Sequence, residues 1–224
     1  MIISIHQPQY LPWDNFFKKI KKSDCFIFLD NVEFQKNGLQ NRNQIKTSNG
    51  PIWLTVPIKQ KLGQKISDVA IDNSKDWKKK HWKTINENYN KSKYFDNFKG
   101  NFQNIFLSNW NNLSELNIKI ILEILMILNI KTKIYKASDL KVKGKSTELL
   151  VNLCKKINSK TYMSGAGGKN YLELEKFKEA GIQVIFEKNI NQKPYKQNHD
   201  KIGFVQNLSI IDNLFNNGKE ALEI

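Results

Sequence analysis

The densest chemistry in the sequence lies in Ser4-Ile5-His6-Gln7-Pro8-Gln9-Tyr10-Leu11-Pro12-Trp13. An imidazole titrates near neutrality, so His6 suits proton transfer. The amides of Gln7 and Gln9 can orient polar groups, and the flat faces of Tyr10 and Trp13 can stack on a base or a sugar. A histidine packed into a proline-fixed turn is the competing account of the same residues. Asp30 is expected near the same sheet edge, followed by a polar, mixed-charge loop with Glu33, Lys36, Asn41, Arg42, Asn43 and Lys46. Such a cluster can grip a diphosphate through Arg42 and Lys46, with Asp30 on a sugar hydroxyl or an amine. A hydrated hairpin loop explains it equally well. Arg42 is the single arginine among 36 basic residues. Its planar fork holds a carboxylate or phosphate in bidentate fashion, which an ammonium cannot do, and a buried ion pair is the alternative use.

Ser164-Gly165-Ala166-Gly167-Gly168-Lys169 follows a strand and opens a helix. Its backbone can approach a ligand closely and its N–H groups can line an anion nest, although turn geometry alone also calls for glycine. Gly144-Lys145-Ser146-Thr147 resembles the end of a P-loop, but Asp139 stands where the first glycine belongs, so that motif is rejected. Ser146 or Thr147 is expected to cap the next helix, whose start can still bind an anion. His81 reads as a packed histidine. Its spacing from His6 and His199 is not that of metal ligands, and Cys25 and Cys154 form no metal or disulfide motif, so no metal is expected.

These residues need a scaffold, and the apolar periodicity supplies one. Ile2 to Ile5 reads as a strand and Trp13, Phe16, Phe17 and Ile20 as a helix face. Cys25 to Leu29 reads as a strand buried on both sides. Ile52 to Ile58 and Ile66 to Ile71 read as further strands. Asn73-Ser74 is placed to cap a helix carrying Trp77, His81, Ile85 and Tyr89. A second helix carries Phe95, Phe98, Phe102, Ile105 and Phe106, and a third runs from Leu113 to Leu128. The last third alternates again: a strand at Lys133 to Tyr135, a helix at Thr147 to Ile157, a strand near Thr161 to Met163, a helix to Ala180 stopped by Gly181, and a strand at Ile182 to Phe186. This predicts an α/β fold with a mainly parallel sheet and helices on both faces. An antiparallel excursion near 31–72 and a helical insertion near 75–130 are expected within a single domain over 1–224.

A content of 40% hydrophobic and 11% aromatic residues over 224 positions excludes a disordered chain. No apolar run is long enough to cross a bilayer. The first residues lack the pattern of a signal peptide, so a cytoplasmic protein is expected. The net charge of +15 admits a basic face for RNA or membrane. It also admits a lysine-biased solvated surface, because the lysines are scattered and accompanied by many Asn and Ile residues.

The opening His6-Gln7-Pro8-Gln9-Tyr10-Leu11-Pro12-Trp13 resembles the hallmark of the WbqC-like proteins of bacterial surface-polysaccharide clusters. Phe28-Leu29-Asp30, Asn41-Arg42-Asn43, Trp53-Leu54-Thr55-Val56-Pro57, Lys80-His81 and Tyr162-Met163-Ser164-Gly165-Ala166-Gly167-Gly168 are similar to further blocks of that family. The likeness runs from residue 2 to about residue 220. It implies a role in O-antigen or capsule sugar modification, with N-acyl or aminoacyl transfer to the amine of a dTDP-linked amino sugar. His6 would remove the amine proton, Arg42 and Lys46 would hold the diphosphate, Trp13 or Trp53 would stack on the base, and the glycine loop would hold the donor's phosphate or the oxyanion. An acyl-coenzyme A or an aminoacyl-tRNA would be the donor. Nucleotidyl transfer and a non-catalytic RNA- or carbohydrate-binding module are the alternatives.

Overall fold

The computed structural model describes residues 1–187 and 192–223. In chain order these form β1 (Ile2–His6), α1 (Asp14–Lys21), β2 (Cys25–Phe28), β3 (Arg42–Thr47), β4 (Gly50–Thr55), β5 (Ile58–Lys59) and β6 (Ala70–Ile71). Then come α2 (Trp77–Tyr89), α3 (Phe95–Leu107), α4 (Leu113–Ile127), β7 (Lys133–Lys136), α5 (Ala137–Leu140), α6 (Ser146–Lys156), β8 (Thr161–Ser164), α7 (Leu174–Glu179), β9 (Gln183–Phe186) and α8 (Ile210–Asn217). The chain divides into two compact units. The first comprises Met1–Pro8, Lys18–Asn31 and Ile130–Asn191; the second comprises Gln9–Phe17, Val32–Asn129 and Gln192–Ile224.

The first unit is built on a five-stranded sheet of order β7-β2-β1-β8-β9, every neighbouring pair parallel. Its strands appear in the chain as 3-2-1-4-5, the doubly wound order. Right-handed crossovers then put the β1–β2 helix on one face and α6 and α7 on the other. The α/β class expected from the sequence is what the chain adopts. All four residues of β2 are buried, as are Ile3, Ser4 and Ile5 of β1, because parallel strands are covered on both faces. The buried Ser4 hydroxyl is satisfied by Ser23, whose Oγ donates to it at 2.7 Å. Gly181 ends α7 at φ +65°, where a Cβ would be strained, and its N–H donates to the Lys178 carbonyl.

The second unit holds the β3–β4 hairpin, the β5–β6 pair and helices α2, α3, α4 and α8. The aromatic stripe of α3 buries Phe95, Phe98, Phe102 and Phe106. Phe95, Phe102 and Tyr89 all meet the ring of Phe215, with centroids 5.0, 5.4 and 5.5 Å away. The Asn112 side chain caps α4 by accepting from Glu115 N.

Several local expectations are corrected. The polar stretch that ends at Lys46 is not all loop: Arg42–Thr47 is β3, its inward positions filled by Asn43, Ile45 and Thr47 instead of an apolar alternation. Ile52 to Ile58 is two strands, because Pro57 has no N–H to continue a ladder. Ile66–Asp68 turns as a single 3₁₀ segment, leaving only Ala70–Ile71 as strand. Asn73 and Ser74 do not cap α2; Ser74 bonds the Asp72 carboxylate and Asp76 takes the cap position without a side-chain bond. Ser146 and Thr147 do not cap α6. Lys145 holds that position, and the Thr147 hydroxyl instead accepts from Glu173 N. The helix after the glycine loop is a 3₁₀ turn over Ala166–Asn170 followed by α7.

Candidate functional site

Reversal of strand order occurs between β1 and β8, and in such sheets ligands bind outside the carboxyl ends at that point. His6 ends β1 there, and Ser164 ends β8 there, immediately before the glycine loop. The register Ser4↔Met163 carries both strands out on the same edge. Packing favours glycine at 168, because a Cβ there would run into Ser164 Oγ. Gly165 and Gly167 face open space, and Lys169 is exposed with its ammonium 5.6 Å from the Phe186 ring.

The imidazole of His6 is half-buried, with Nδ1 3.0 Å from the carbonyl oxygen of Gln7. A carbonyl can only accept, so Nδ1 carries the hydrogen and Nε2 carries the lone pair. Burial, aided by the Lys19 charge, holds the imidazolium down to about 3, so His6 is neutral at pH 7. Lys19 itself is buried, at 4% exposure, and donates to the Ile5 carbonyl at 3.4 Å. Burial pulls its ammonium down to about 8 while Glu187 works the other way. Asp30 lies two residues beyond β2 and is buried. Its two oxygens accept from Ser138 N at 2.9 Å and Ser138 Oγ at 2.6 Å, tying the start of α5 to the sheet edge. His6, Gln7, Asp30 and the Ser164–Lys169 loop thus share one unit and one sheet edge.

The remaining candidates belong to the second unit. Arg42 lies with its guanidinium 4.5 Å from the Trp53 ring centre and donates from Nη2 to the Asn37 carbonyl at 2.7 Å. Trp53 is 46% exposed, so the stacked pair presents a flat cationic face. Lys46 is buried and donates to the Gly203 carbonyl at 2.6 Å. Four residues of strand separate it from Arg42, about 13 Å. Asn41 donates to the Val56 carbonyl, Lys36 is exposed, and Trp13 is half-buried. Gln9 is buried with Oε1 lacking a hydrogen-bond partner among the described residues.

Tyr10 is fully buried, and its hydroxyl pairs with His81 Nδ1 at 2.8 Å. His81 also bonds the Thr55 carbonyl and packs on Trp77 and Phe106, so Tyr10 donates to a neutral ring. Burial holds that ring's pKa down to about 4. Two groups escaped the sequence: Lys19, and Asp212, which is fully buried and accepts from Tyr89 and Tyr195, each at 2.8 Å. Burial holds the Cys25 and Cys154 thiols up at about 11 and 12, so neither is a thiolate at pH 7.

The sequence profile of the WbqC-like protein family matches residues 7–224. The chain belongs to that family. A Mycobacterium tuberculosis protein, named only as uncharacterized protein Rv1507c, is 35% identical to this WbqC-like chain over 222 residues, covering 98% of this chain and 95% of the relative. No solved structure matches it. Among the described residues, no helix is long and apolar enough to cross a membrane.

The two neutral histidines set an acid limit on WbqC-like stability. His6 and His81 are held at about 3 and about 4 in the folded state, against 6.5 when unfolded. Between those values the unfolded chain binds protons that the folded chain does not. Stability is therefore full above pH ~6.5 and falls as the pH drops toward ~4. At ~1.4 kcal/mol per pH unit for each group, the loss reaches several kcal/mol. Urea midpoints at about pH 7.5 and about pH 4.5 measure it, and His81→Gln should flatten the slope; equal wild-type midpoints would contradict neutral burial.

Proposed function

We propose that this WbqC-like chain transfers an acyl or aminoacyl group to the amine of a nucleotide-linked amino sugar, in the cytoplasm, for a surface polysaccharide. The observation that supports this best is the common edge of His6 and the Ser164–Lys169 loop at the reversal of a 3-2-1-4-5 sheet. In the step, the amine nitrogen bonds to the donor's carbonyl carbon. The bond from that carbon to the donor's sulfur or oxygen breaks. The amine proton passes to Nε2 of His6, and the backbone N–H groups of Gly165 and Gly167 would meet the developing oxyanion or a phosphate, while that of Gly168 is held by the Gly165 carbonyl. A base held near 3 is weak, so an anionic substrate beside the ring must raise its pKa before it accepts the proton. His6 then gives that proton to the departing group, which is the coenzyme A thiol from an acyl-coenzyme A or the ribose hydroxyl of the tRNA from an aminoacyl-tRNA. The charge of +15 suits either polyanionic donor. Asp30 steadies the edge through Ser138, and in the second unit the Lys46 ammonium is held by the Gly203 carbonyl. The Arg42–Trp53 stack is an exposed, flat cationic face of the second unit.

A second reading is favoured by one feature: a parallel sheet of this order whose first strand ends in histidine before a helix is also suited to nucleotidyl transfer. A thermal-shift screen against dTDP, dTDP-amino sugars, coenzyme A and ATP separates the two. Ligand at ~100 times its Kd stabilises by ~2.7 kcal/mol. A shift with dTDP species, and an acylated sugar by mass spectrometry when donor is added, is the expected result. A shift with ATP alone favours nucleotidyl transfer. No shift with any of them, together with salt-sensitive RNA binding, overturns both.

A further inference from the structure

Pairing around β1 is uneven at its carboxyl end. Toward β2 the ladder continues to the last residue: His6 faces Phe28, and Leu29 N donates to the His6 carbonyl at 2.8 Å. Toward β8 the register stops at Ser4↔Met163. Successive strand residues aim their backbone groups at opposite neighbours, so the Ile5 carbonyl faces β8. The next rung of a parallel ladder would bring it the N–H of Gly165. It takes the Lys19 ammonium instead, at 3.4 Å. The sheet therefore opens between β1 and β8, and Lys19 reaches into that opening from α1.

A lysine with only 4% exposure is unusual, since a buried ammonium needs compensation. A long bond to one carbonyl uses one of its three donors. Glu187 contributes through its field, but its carboxylate is already 3.5 Å from the Lys22 ammonium. The neighbouring His6 is a neutral ring and supplies no negative charge. On the β8 side of the opening the chain continues into Gly165 and Gly167, where a Cβ would meet no atom within 4 Å.

We infer that Lys19 is the cation that binds a phosphoryl group of the substrate, in the opening between the carboxyl ends of β1 and β8, with the backbone of the Gly165–Gly168 loop on the other side of that group. The assignment rests on the proposed nucleotide-linked substrate but is tested apart from it. A phosphate would complete the unused ammonium donors and bring a negative charge next to His6, which is the change His6 needs to become a base.

Inorganic pyrophosphate is the probe. By calorimetry, Lys19→Met should weaken its binding by at least ~30-fold, the loss expected for one charge-assisted contact. Lys99→Met, on the exposed face of α3, should bind as the wild type does. In wild-type protein labelled with [15N]glycine, saturating pyrophosphate should shift the Gly165, Gly167 and Gly168 amide signals; this arm stands even if Lys19→Met does not fold. Unchanged binding by a folded Lys19→Met, or glycine signals that stay in place, overturns the assignment. Turnover of a dTDP-amino sugar is read separately. Lys19-dependent pyrophosphate binding without turnover removes the transferase reading and keeps Lys19; turnover with Lys19-independent binding does the reverse.

Discussion

Replacing His6 with alanine should lower turnover by ~10²–10⁴-fold, the span usual for a general base, and leave the fold in place. The side chain is half-buried, and its Nδ1–H donates to the carbonyl of the adjacent Gln7. The pairing of β1 with β2 and β8 is made by backbone groups and does not use the ring. The urea midpoint at pH 7.5 should therefore stay near that of the wild type, and the loss of stability below pH ~6.5 should shrink, because one buried neutral histidine is gone. The pH profile adds a sharper check. kcat/KM reports the free enzyme, in which His6 is held at about 3, so its acid limb should lie well below pH 6.5. A folded His6→Ala variant with near wild-type turnover would make His6 a structural residue.

Much of this edge can be derived from the chain alone. Ile2 to Ile5, the turn through Pro8 and Pro12, and the apolar run from Cys25 require a β-α-β opening, and that opening puts His6 at a carboxyl end. The glycine loop is visible for the same reason, since it follows a strand. Lys19 is not visible. With Lys18, Lys21 and Lys22 it looks like the solvated side of an amphipathic helix. Its aliphatic stem lies buried instead, and its ammonium finds a backbone carbonyl that no strand pairs. The hairpin strand Arg42–Thr47 is hidden because its inward face is made of Asn43, Ile45 and Thr47, which do not read as apolar alternation. Asn43 is at home there because its amide donates to the Leu11 carbonyl at 2.6 Å. Tyr10 looks like a stacking platform in sequence. Burial and the His81 bond depend on a contact 71 residues away, which no local pattern encodes.

Asp212→Ala should strongly destabilise the second unit. Tyr89 lies 123 residues from Asp212 in the chain, yet its hydroxyl and that of Tyr195 both donate to the carboxylate at 2.8 Å. The Tyr89 hydroxyl in turn accepts from Lys46 N at 3.0 Å, and the buried Lys46 ammonium is an electrostatic partner of Asp212. Alanine strands the buried Tyr89 hydroxyl and the part-buried Tyr195 hydroxyl, and removes the negative charge that Lys46 feels. Losing one member of such a buried set costs ~3–5 kcal/mol. At ~2–4 °C per kcal/mol for a chain of this size, Tm should fall by roughly 6–20 °C.

The sign of the pH effect separates this carboxylate from the histidines. Burial is the largest influence on Asp212 and raises its pKa, so the folded state holds its proton more tightly than the unfolded state. Acid therefore favours folding at this one position and offsets part of the histidine loss. Asp212→Asn keeps an acceptor for one tyrosine, so it should cost less than alanine at pH 7.5, while making the decline toward pH ~4 steeper than in the wild type. A double-mutant cycle with Lys46→Met completes the test. If the two charges depend on one another, the double variant should be more stable than the sum of the single losses predicts; additivity within ~0.5 kcal/mol would mean that Lys46 answers to the Gly203 carbonyl alone.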